Sequence, residues 1–293
     1  MSVSGDTAKG RLAIIAGNGL LPAYVAEAAR AAGDEPFVIS LKGEVDRSWQ
    51  GYDHAVIGVG DVAALEAIFS KHDIRRVVMS GGVRRRPEWR EIRPTWKSVV
   101  KIPSVVRTLI SGGDDTVLQM VIKLIENNGR RVIGAQEIAP DLLASVGSLG
   151  AVAPGKDDIS DMLKAAEAAN ALGLLDVGQG AVSVGGRVVA LEGPEGTDGM
   201  LERVASLRNA GRISARRKGV LVKLCKPQQD LRADLPSIGV STIVNAQKAG
   251  LAGVAVEAGR ALILERDEMI AAADQAGLFV CGIDRGLPGW GLT

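Results

Sequence analysis

Short apolar runs alternate with helix-like stretches over the first eighty residues, and this alternation limits the fold more than any other feature. RLAIIA at Arg11–Ala16, PFVISL at Pro36–Leu41, His54–Val59 and RVVMS at Arg76–Ser80 have the length and β-branched content of buried strands. An Ala-rich stretch from Pro22 to Gly33 and the stretch Val62–His72 have helical character, and proline suits a helix start, where its missing N–H costs nothing. Strands separated by helices imply βαβ units and a parallel sheet. The chain reads as helical from about Ile102, including Asp115–Asn128, and a further strand is expected at Arg131–Ile133.

At 293 residues the chain is long enough for two domains. The glycines and prolines between Ala135 and Asp158 mark the connection, and the boundary is set at 1–143 and 144–293. The second half is expected to hold a helix over Ser160–Leu172, then a hairpin in which AVSV and RVVALE flank Gly185-Gly186. A helix over Gly199–Asn209 follows, then strands at Gly219–Leu224, Gly253–Val256 and Ala261–Leu264. A helix over Asp267–Ala276 and a strand at Leu278–Ile283 complete it.

Composition excludes several functions. Thirty-five Lys and Arg face thirty-four Asp and Glu, and aromatics are 3%, so neither a global positive field nor stacking platforms favour nucleic acid. Cys225 and Cys281 form no disulfide framework and fit a reducing cytosol. No apolar run reaches membrane-span length, and the polar first ten residues read as a leader unlike a signal peptide. A cytoplasmic protein is expected. His54 and His72 are the only histidines, too few for a His-rich dinuclear centre, and there is no GxSxG nucleophile elbow.

Carboxylates, lysines and arginines remain, the equipment of Mg²⁺-assisted phosphate chemistry. Gly17-Asn18-Gly19 directly follows the first strand, where backbone N–H groups approach phosphates. Pro22 occupies the position of the third fingerprint glycine, which argues against a nicotinamide site. Gly150–Lys156 imitates a phosphate loop, but Asp157 stands where Ser or Thr is required, so it reads as linker and helix cap. Cys225, at the end of an apolar strand, reads as inert and buried.

The richest segment is GVLVKLCKPQQDLRADLPSIG at Gly219–Gly239. If it is extended after the strand, period-two spacing puts Asp230, Arg232 and Asp234 on one face, able to hold a hard cation and offer a guanidinium fork to phosphate. Thr197 or Asp198, in the acidic turn after the hairpin, is expected to cap the next helix. Arg84–Lys101 carries seven basic residues with Trp89 and Trp96 interleaved, suited to an anionic, partly apolar ligand or a membrane interface; Arg203–Lys226 carries eight basic residues and no acid.

These segments together resemble the LpxI-type UDP-2,3-diacylglucosamine pyrophosphatases of lipid A biosynthesis. The matching signatures are IAGNGLLP at Ile15–Pro22, VVMSGGVRRRP at Val77–Pro87, GGDDTVL at Gly112–Leu118 and DVGQGAVS at Asp176–Ser183. EGPEGTDGM at Glu192–Met200, KLCKPQQDLRADLPSIG at Lys223–Gly239, AGLAGVAVEAG at Ala249–Gly259 and the closing GLFVCGI complete the set. An extra residue among Arg84–Arg86 and the tails depart from the pattern. The resemblance implies an N-terminal Rossmann-like parallel-sheet domain and a C-terminal α/β hydrolase domain specific to the family, with substrate held between them. It implies Mg²⁺-dependent hydrolysis of the diphosphate of UDP-2,3-diacylglucosamine to UMP and 2,3-diacylglucosamine 1-phosphate.

Carried onto this sequence, Asp230, Asp234 and Lys226 are the catalytic candidates, and the two aspartates also the Mg²⁺ ligands. Gly17, Asn18, Gly19, Leu20, Gly81, Gly82, Gln179, Thr197, Lys223, Gln229 and Arg232 are the substrate-binding candidates. A homodimer with peripheral contact to the inner membrane is expected. The alternative, a non-catalytic nucleotide-sugar or lipid carrier, would bind the same substrate and leave it intact.

Overall fold

The computed structural model describes residues 10–45, 47–83 and 114–291. The chain divides into two compact units. The first comprises Met1–Pro140 together with Asp230–Asp234, the second Asp141–Gln229 with Leu235–Thr293.

In the first unit, β1 (Arg11–Ala16), β2 (Phe37–Leu41), β3 (His54–Ile57), β4 (Ile74–Ser80) and β5 (Arg131–Ile133) form a sheet of order β3-β2-β1-β4-β5. Every pairing is parallel. The alternation seen in the sequence is thus this sheet. Strands β1 and β2 are buried almost throughout, which is why they appear as continuous apolar runs rather than alternating ones. Helices α1 (Leu21–Ala31), α2 (Val62–Lys71), α3 (Asp114–Glu126) and the short α4 (Ala135–Ile138) belong to the same unit. Phe69 of α2 and Ile122 and Ile125 of α3 join Ile15, Ile39 and Val132 in its core. The order reverses between β1 and β4, which places a crevice beyond their carboxyl ends.

The second unit is built on six strands in the order β6-β13-β11-β9-β7-β8. They are β6 (Gly147–Ser148), β7 (Gly180–Val184), β8 (Arg187–Leu191), β9 (Val220–Lys223), β11 (Gly253–Glu257) and β13 (Phe279–Ile283). Strands β9, β11 and β13 run parallel, while β7 is antiparallel to both β9 and β8. Alternation along β9 separates two cores. Val220 and Val222 face Met162, Ala165 and Ala169 of helix α5 (Lys156–Leu174). Leu221 faces the opposite core, which contains Met200 and Val204 of α6 (Gly196–Asn209), Ile243 of α7 (Val240–Lys248) and Met269 of α8 (Arg266–Ala276). A two-stranded parallel pair, β10 (Ser237–Ile238) with β12 (Leu262–Ile263), completes the unit.

Two sequence expectations need correction, and one element is unanticipated. The segment Asp230–Asp234 is not extended: the Ala233 N–H donates to the Asp230 carbonyl at 2.9 Å, closing a turn. Thr197 and Asp198 do not cap α6, whose N-cap is Glu195; the Thr197 hydroxyl donates instead to Glu192 and Asp198 accepts from Asn245. The helix α7, rich in β-branched residues, is absent from the elements expected of the sequence. The loop before α5 behaves as anticipated, with the Gly155 N–H donating to Asp158 at 2.9 Å. Among the described residues no helix is long and apolar enough to cross a membrane.

Candidate functional site

Two groups of candidate residues form, one in each unit. In the first, Gly17, Asn18, Gly81 and Gly82 meet at the carboxyl ends of β1 and β4. The Asn18 N–H donates to the Gly82 carbonyl at 2.8 Å, and the Gly82 N–H returns to the Asn18 carbonyl at 3.1 Å. This backbone-to-backbone approach explains the glycines. A Cβ on Gly17 would lie 2.2 Å from the Gly82 oxygen; on Gly81, which has φ +84°, it would lie 2.5 Å from the Asn18 oxygen. Gly19 and Leu20 then lead into α1, whose N-terminus lacks a side-chain cap. Gly81→Ala is expected to lower stability by roughly 1–3 kcal/mol through the left-handed backbone and the collision, measurable as a lowered melting temperature of the first unit.

The turn Asp230–Asp234 belongs to this unit. Its Arg232 guanidinium grips Asp230 through two hydrogen bonds, Nε to Oδ1 at 3.0 Å and Nη2 to Oδ2 at 2.8 Å, and the Arg232 N–H donates to Oδ1 at 3.0 Å. Arg232 also reaches Glu126 of α3 at 2.8 Å. Gln136 of α4 donates to the Leu231 carbonyl at 3.2 Å, and Ala233 is buried in the unit's core. The Arg232 hydrogen bond holds the Asp230 carboxyl below its ordinary range, and Asp230 raises the guanidinium in turn.

In the second unit the candidates gather where β9 ends and β7 begins, since Lys223 pairs with Gly180. The Leu224 N–H donates to the Gln179 carbonyl at 2.9 Å. Glu192, buried, accepts from the Gln179 N–H at 3.2 Å and the Thr197 hydroxyl at 2.6 Å. Lys223 is buried and donates to the Ser237 carbonyl at 3.1 Å. Lys226 pairs with Asp176 at 2.6 Å, and its N–H donates to Gln229 at 3.2 Å. Gln179, Thr197, Lys223, Lys226 and Gln229 therefore share one sheet edge, the carboxyl edge of the parallel strands, where ligands of open α/β sheets bind. The Gln179 side-chain oxygen is buried and has no hydrogen-bond partner among the described residues. Cys225 and Cys281 are buried, and burial pushes the Cys281 thiol up.

Almost the whole length of the chain matches one family. The profile of the LpxI N-terminal domain matches residues 11–142, and that of the LpxI C-terminal domain matches residues 145–281. The UDP-2,3-diacylglucosamine pyrophosphatase LpxI of Caulobacter vibrioides is 41% identical over 275 residues, covering 94% of this chain and 98% of that one. The chain belongs to the LpxI family. Among solved structures it is similar to the UDP-glucose 4-epimerase of Thermus thermophilus, in its complex with NAD, at 14% identity over 92% of this chain and 84% of the other. The TM-score of that match is 0.29, too low to speak for fold or chemistry.

Local spacing missed several partners that this LpxI chain uses. Asp176, Glu192 and Glu126 each engage a candidate residue, and Glu257 with Arg285 holds the backbone of Cys225. Of these, the sequence singles out Glu192 alone, as part of an acidic turn. Glu257 has one local signal, an acid ending an otherwise apolar strand. The Trp/Arg stretch 84–101 lies outside the described residues. An open cavity of about 410 Å³ beside Phe37, His54 and His72 contains none of the candidates.

A resident cation on Asp230 and Asp234 does not fit what the described residues show. No group of three or more His, Cys, Asp or Glu able to hold a metal occurs among them. Both Asp230 oxygens face the Arg232 guanidinium, whose positive charge opposes a cation at the same place.

Proposed function

We propose that the chain hydrolyses the diphosphate of UDP-2,3-diacylglucosamine, a lipid-linked nucleotide sugar, releasing UMP and 2,3-diacylglucosamine 1-phosphate in lipid A biosynthesis. One observation carries this reading: the identity to the Caulobacter vibrioides pyrophosphatase extends over nearly all of both chains. The side chains are suited to the reaction. A diphosphate under attack gathers negative charge, which Lys223 and Lys226 of the second unit are able to balance. Asp176 holds Lys226 in a fixed place, so less reorganisation is needed as charge develops. Water requires a base, and with no histidine among the candidates a carboxylate is the available group.

In this reading residues 1–143 form the Rossmann-like domain and 144–293 the hydrolase domain, a division supported by the family matches ending at 142 and resuming at 145, while the turn Asp230–Asp234 packs with the first unit. Asp230, Asp234 and Lys226 are its catalytic candidates. A cytoplasmic homodimer touching the inner membrane peripherally belongs to the same proposal; light scattering and co-sedimentation with phospholipid vesicles test those two features.

Mg²⁺ dependence is included on the chemistry of a diphosphate ester, not on a preformed cage. Incubation with the substrate and Mg²⁺ is expected to release UMP, and exhaustive chelation to abolish release until Mg²⁺ is restored. Full activity in chelator removes the metal from the proposal. Unchanged substrate under all conditions, with binding retained, makes the chain a carrier.

A further inference from the structure

Glu257 and Arg285 form an ion pair of the second unit outside the candidate set, with the carboxylate buried and the guanidinium partly exposed. Glu257 ends β11, and its side chain is 3% exposed. Arg285 follows β13 by two residues. Glu257 Oε2 accepts from the Cys225 N–H at 3.1 Å and from Arg285 Nη2 at 3.0 Å. Arg285 Nη2 also donates to the Cys225 carbonyl at 2.9 Å. Both polar groups of one residue's backbone are thus captured by a pair that is itself bonded, across the carboxyl ends of β9, β11 and β13. Arg260 stands 3.8 Å from the other Glu257 oxygen, and the Trp290 ring centroid lies 5.7 Å from the Arg285 guanidinium carbon.

A buried ion pair is a poor device for stability alone, because well-packed apolar residues of similar volume often serve as well or better. This pair does something apolar residues cannot do. It fixes the backbone at Cys225, and the next residue is Lys226, whose N–H bonds to Gln229. Lys223, two residues earlier, is fixed by the sheet. The loop that carries two candidate residues is therefore anchored at its base by a charge-assisted ring of hydrogen bonds, stronger and more directional than neutral ones.

We propose that Glu257 and Arg285 are positioning residues, which act through the Cys225 backbone to set Lys226 and Gln229 against the substrate diphosphate. The inference rests on the hydrolase reading. It does not require either residue to touch substrate.

The test separates positioning from stability. In the double variant Glu257→Leu/Arg285→Leu the charges are gone but the Cys225 N–H and carbonyl lose these partners, so the melting temperature is expected to fall by several degrees while the protein stays folded well below its transition. Turnover is expected to remain at least about tenfold low, since small misplacements of positioning groups cost up to about 10²-fold. KM should change by less than about threefold. The Cys225 amide should exchange its hydrogen at least about tenfold faster while β11 and β13 amides keep their protection. Glu257→Gln, which preserves volume, should lower kcat in the same direction and serves alone if the double variant does not fold. Wild-type kcat in a folded variant, or unchanged exchange at Cys225, overturns the inference. Wild-type protein that releases no UMP overturns the hydrolase reading instead, and the exchange measurement then decides the clamp independently.

Discussion

Replacing Asp230 by alanine should leave the protein folded and substrate-binding while UMP release falls by about 10²-fold, the scale of loss when a positioned group is misplaced by an ångström. The expectation follows from what Asp230 holds. Its carboxylate receives three hydrogen bonds from Arg232, two from the guanidinium and one from the backbone. Without it, Arg232 keeps only Glu126 as an ionic partner among the described residues. The fork is then free to swing toward α3, and a cation misplaced by an ångström loses much of its value to a developing negative charge. Asp230→Asn is the informative companion. The amide oxygen can still accept from the Arg232 backbone, so a role confined to shaping the turn predicts recovery, whereas a role needing the negative charge predicts a loss close to that of alanine. Asp157→Ala, in the loop that only imitates a phosphate cradle, should be near neutral. A folded Asp230→Ala protein with wild-type turnover would exclude this residue from the reaction.

The pH dependence has a definite sign. Arg232 lowers the pKa of Asp230 relative to the unfolded chain, so the stabilisation is fully present above the ordinary carboxylate value of about 3.9. It is lost only as the pH falls through the lower, folded value. Between pH 5 and 8 Asp230 stays ionised, and an acid limb of turnover in that range must come from another group. An Asp230→Ala variant should accordingly show a smaller stability loss on acidification than the wild type, read from melting temperatures at pH 3 and pH 7.

Much of the fold is legible in the sequence because burial leaves a simple record. Strands β1 and β2, covered on both faces, appear as unbroken apolar runs, and Gly185-Gly186, both at positive φ, announces the β7–β8 hairpin. What is not legible depends on partners distant in sequence. The helix Val240–Lys248 contains Val240, Thr242, Ile243 and Val244, β-branched residues with strand preference, and becomes a helix by burying Thr242, Ile243 and Ala246. The segment Asp230–Asp234 has period-two spacing, yet it turns because Arg232 bonds backward to Asp230 and Ala233 enters a core more than a hundred residues away in sequence. Thr197 has the chemistry of a helix cap but spends its proton on Glu192. Glu257 is visible only as an acid ending a strand, since the Arg285 that makes its burial tolerable comes 28 positions later. The candidate residues are legible as residue types at strand ends; their mutual arrangement is not.

The largest loss of stability is expected from Asp161→Ala, far from any catalytic role. Asp161 projects from α5 into the base of the β7–β8 hairpin. It is buried, with its carboxylate accepting from the Ser183 hydroxyl at 2.6 Å, the Gly185 N–H at 2.9 Å and the Gly186 N–H at 2.7 Å. The two glycines sit at the tight turn, so one helical side chain fixes both the turn and the register of the strands it joins. Alanine removes all three charge-assisted bonds and strands the Ser183 hydroxyl in a fully buried position. Hydrogen bonds to charged groups contribute about 1.5–3 kcal/mol each and do not add fully, so the expected cost is about 3–4 kcal/mol. For a unit of this size that corresponds to a fall of roughly 6–16 °C in its melting temperature. Asn in the same place recovers only part, because its amide offers one accepting oxygen to three donors. Combining Asp161→Ala with Ser183→Ala should be less damaging than the sum of the single changes, since the second removes the stranded hydroxyl. UMP release per folded molecule should match the wild type at temperatures well below the transition. Additive losses in the double variant would mean that Ser183 and Asp161 do not act through one another, and an unchanged melting temperature in Asp161→Ala would show that the hairpin holds its turn without the helix.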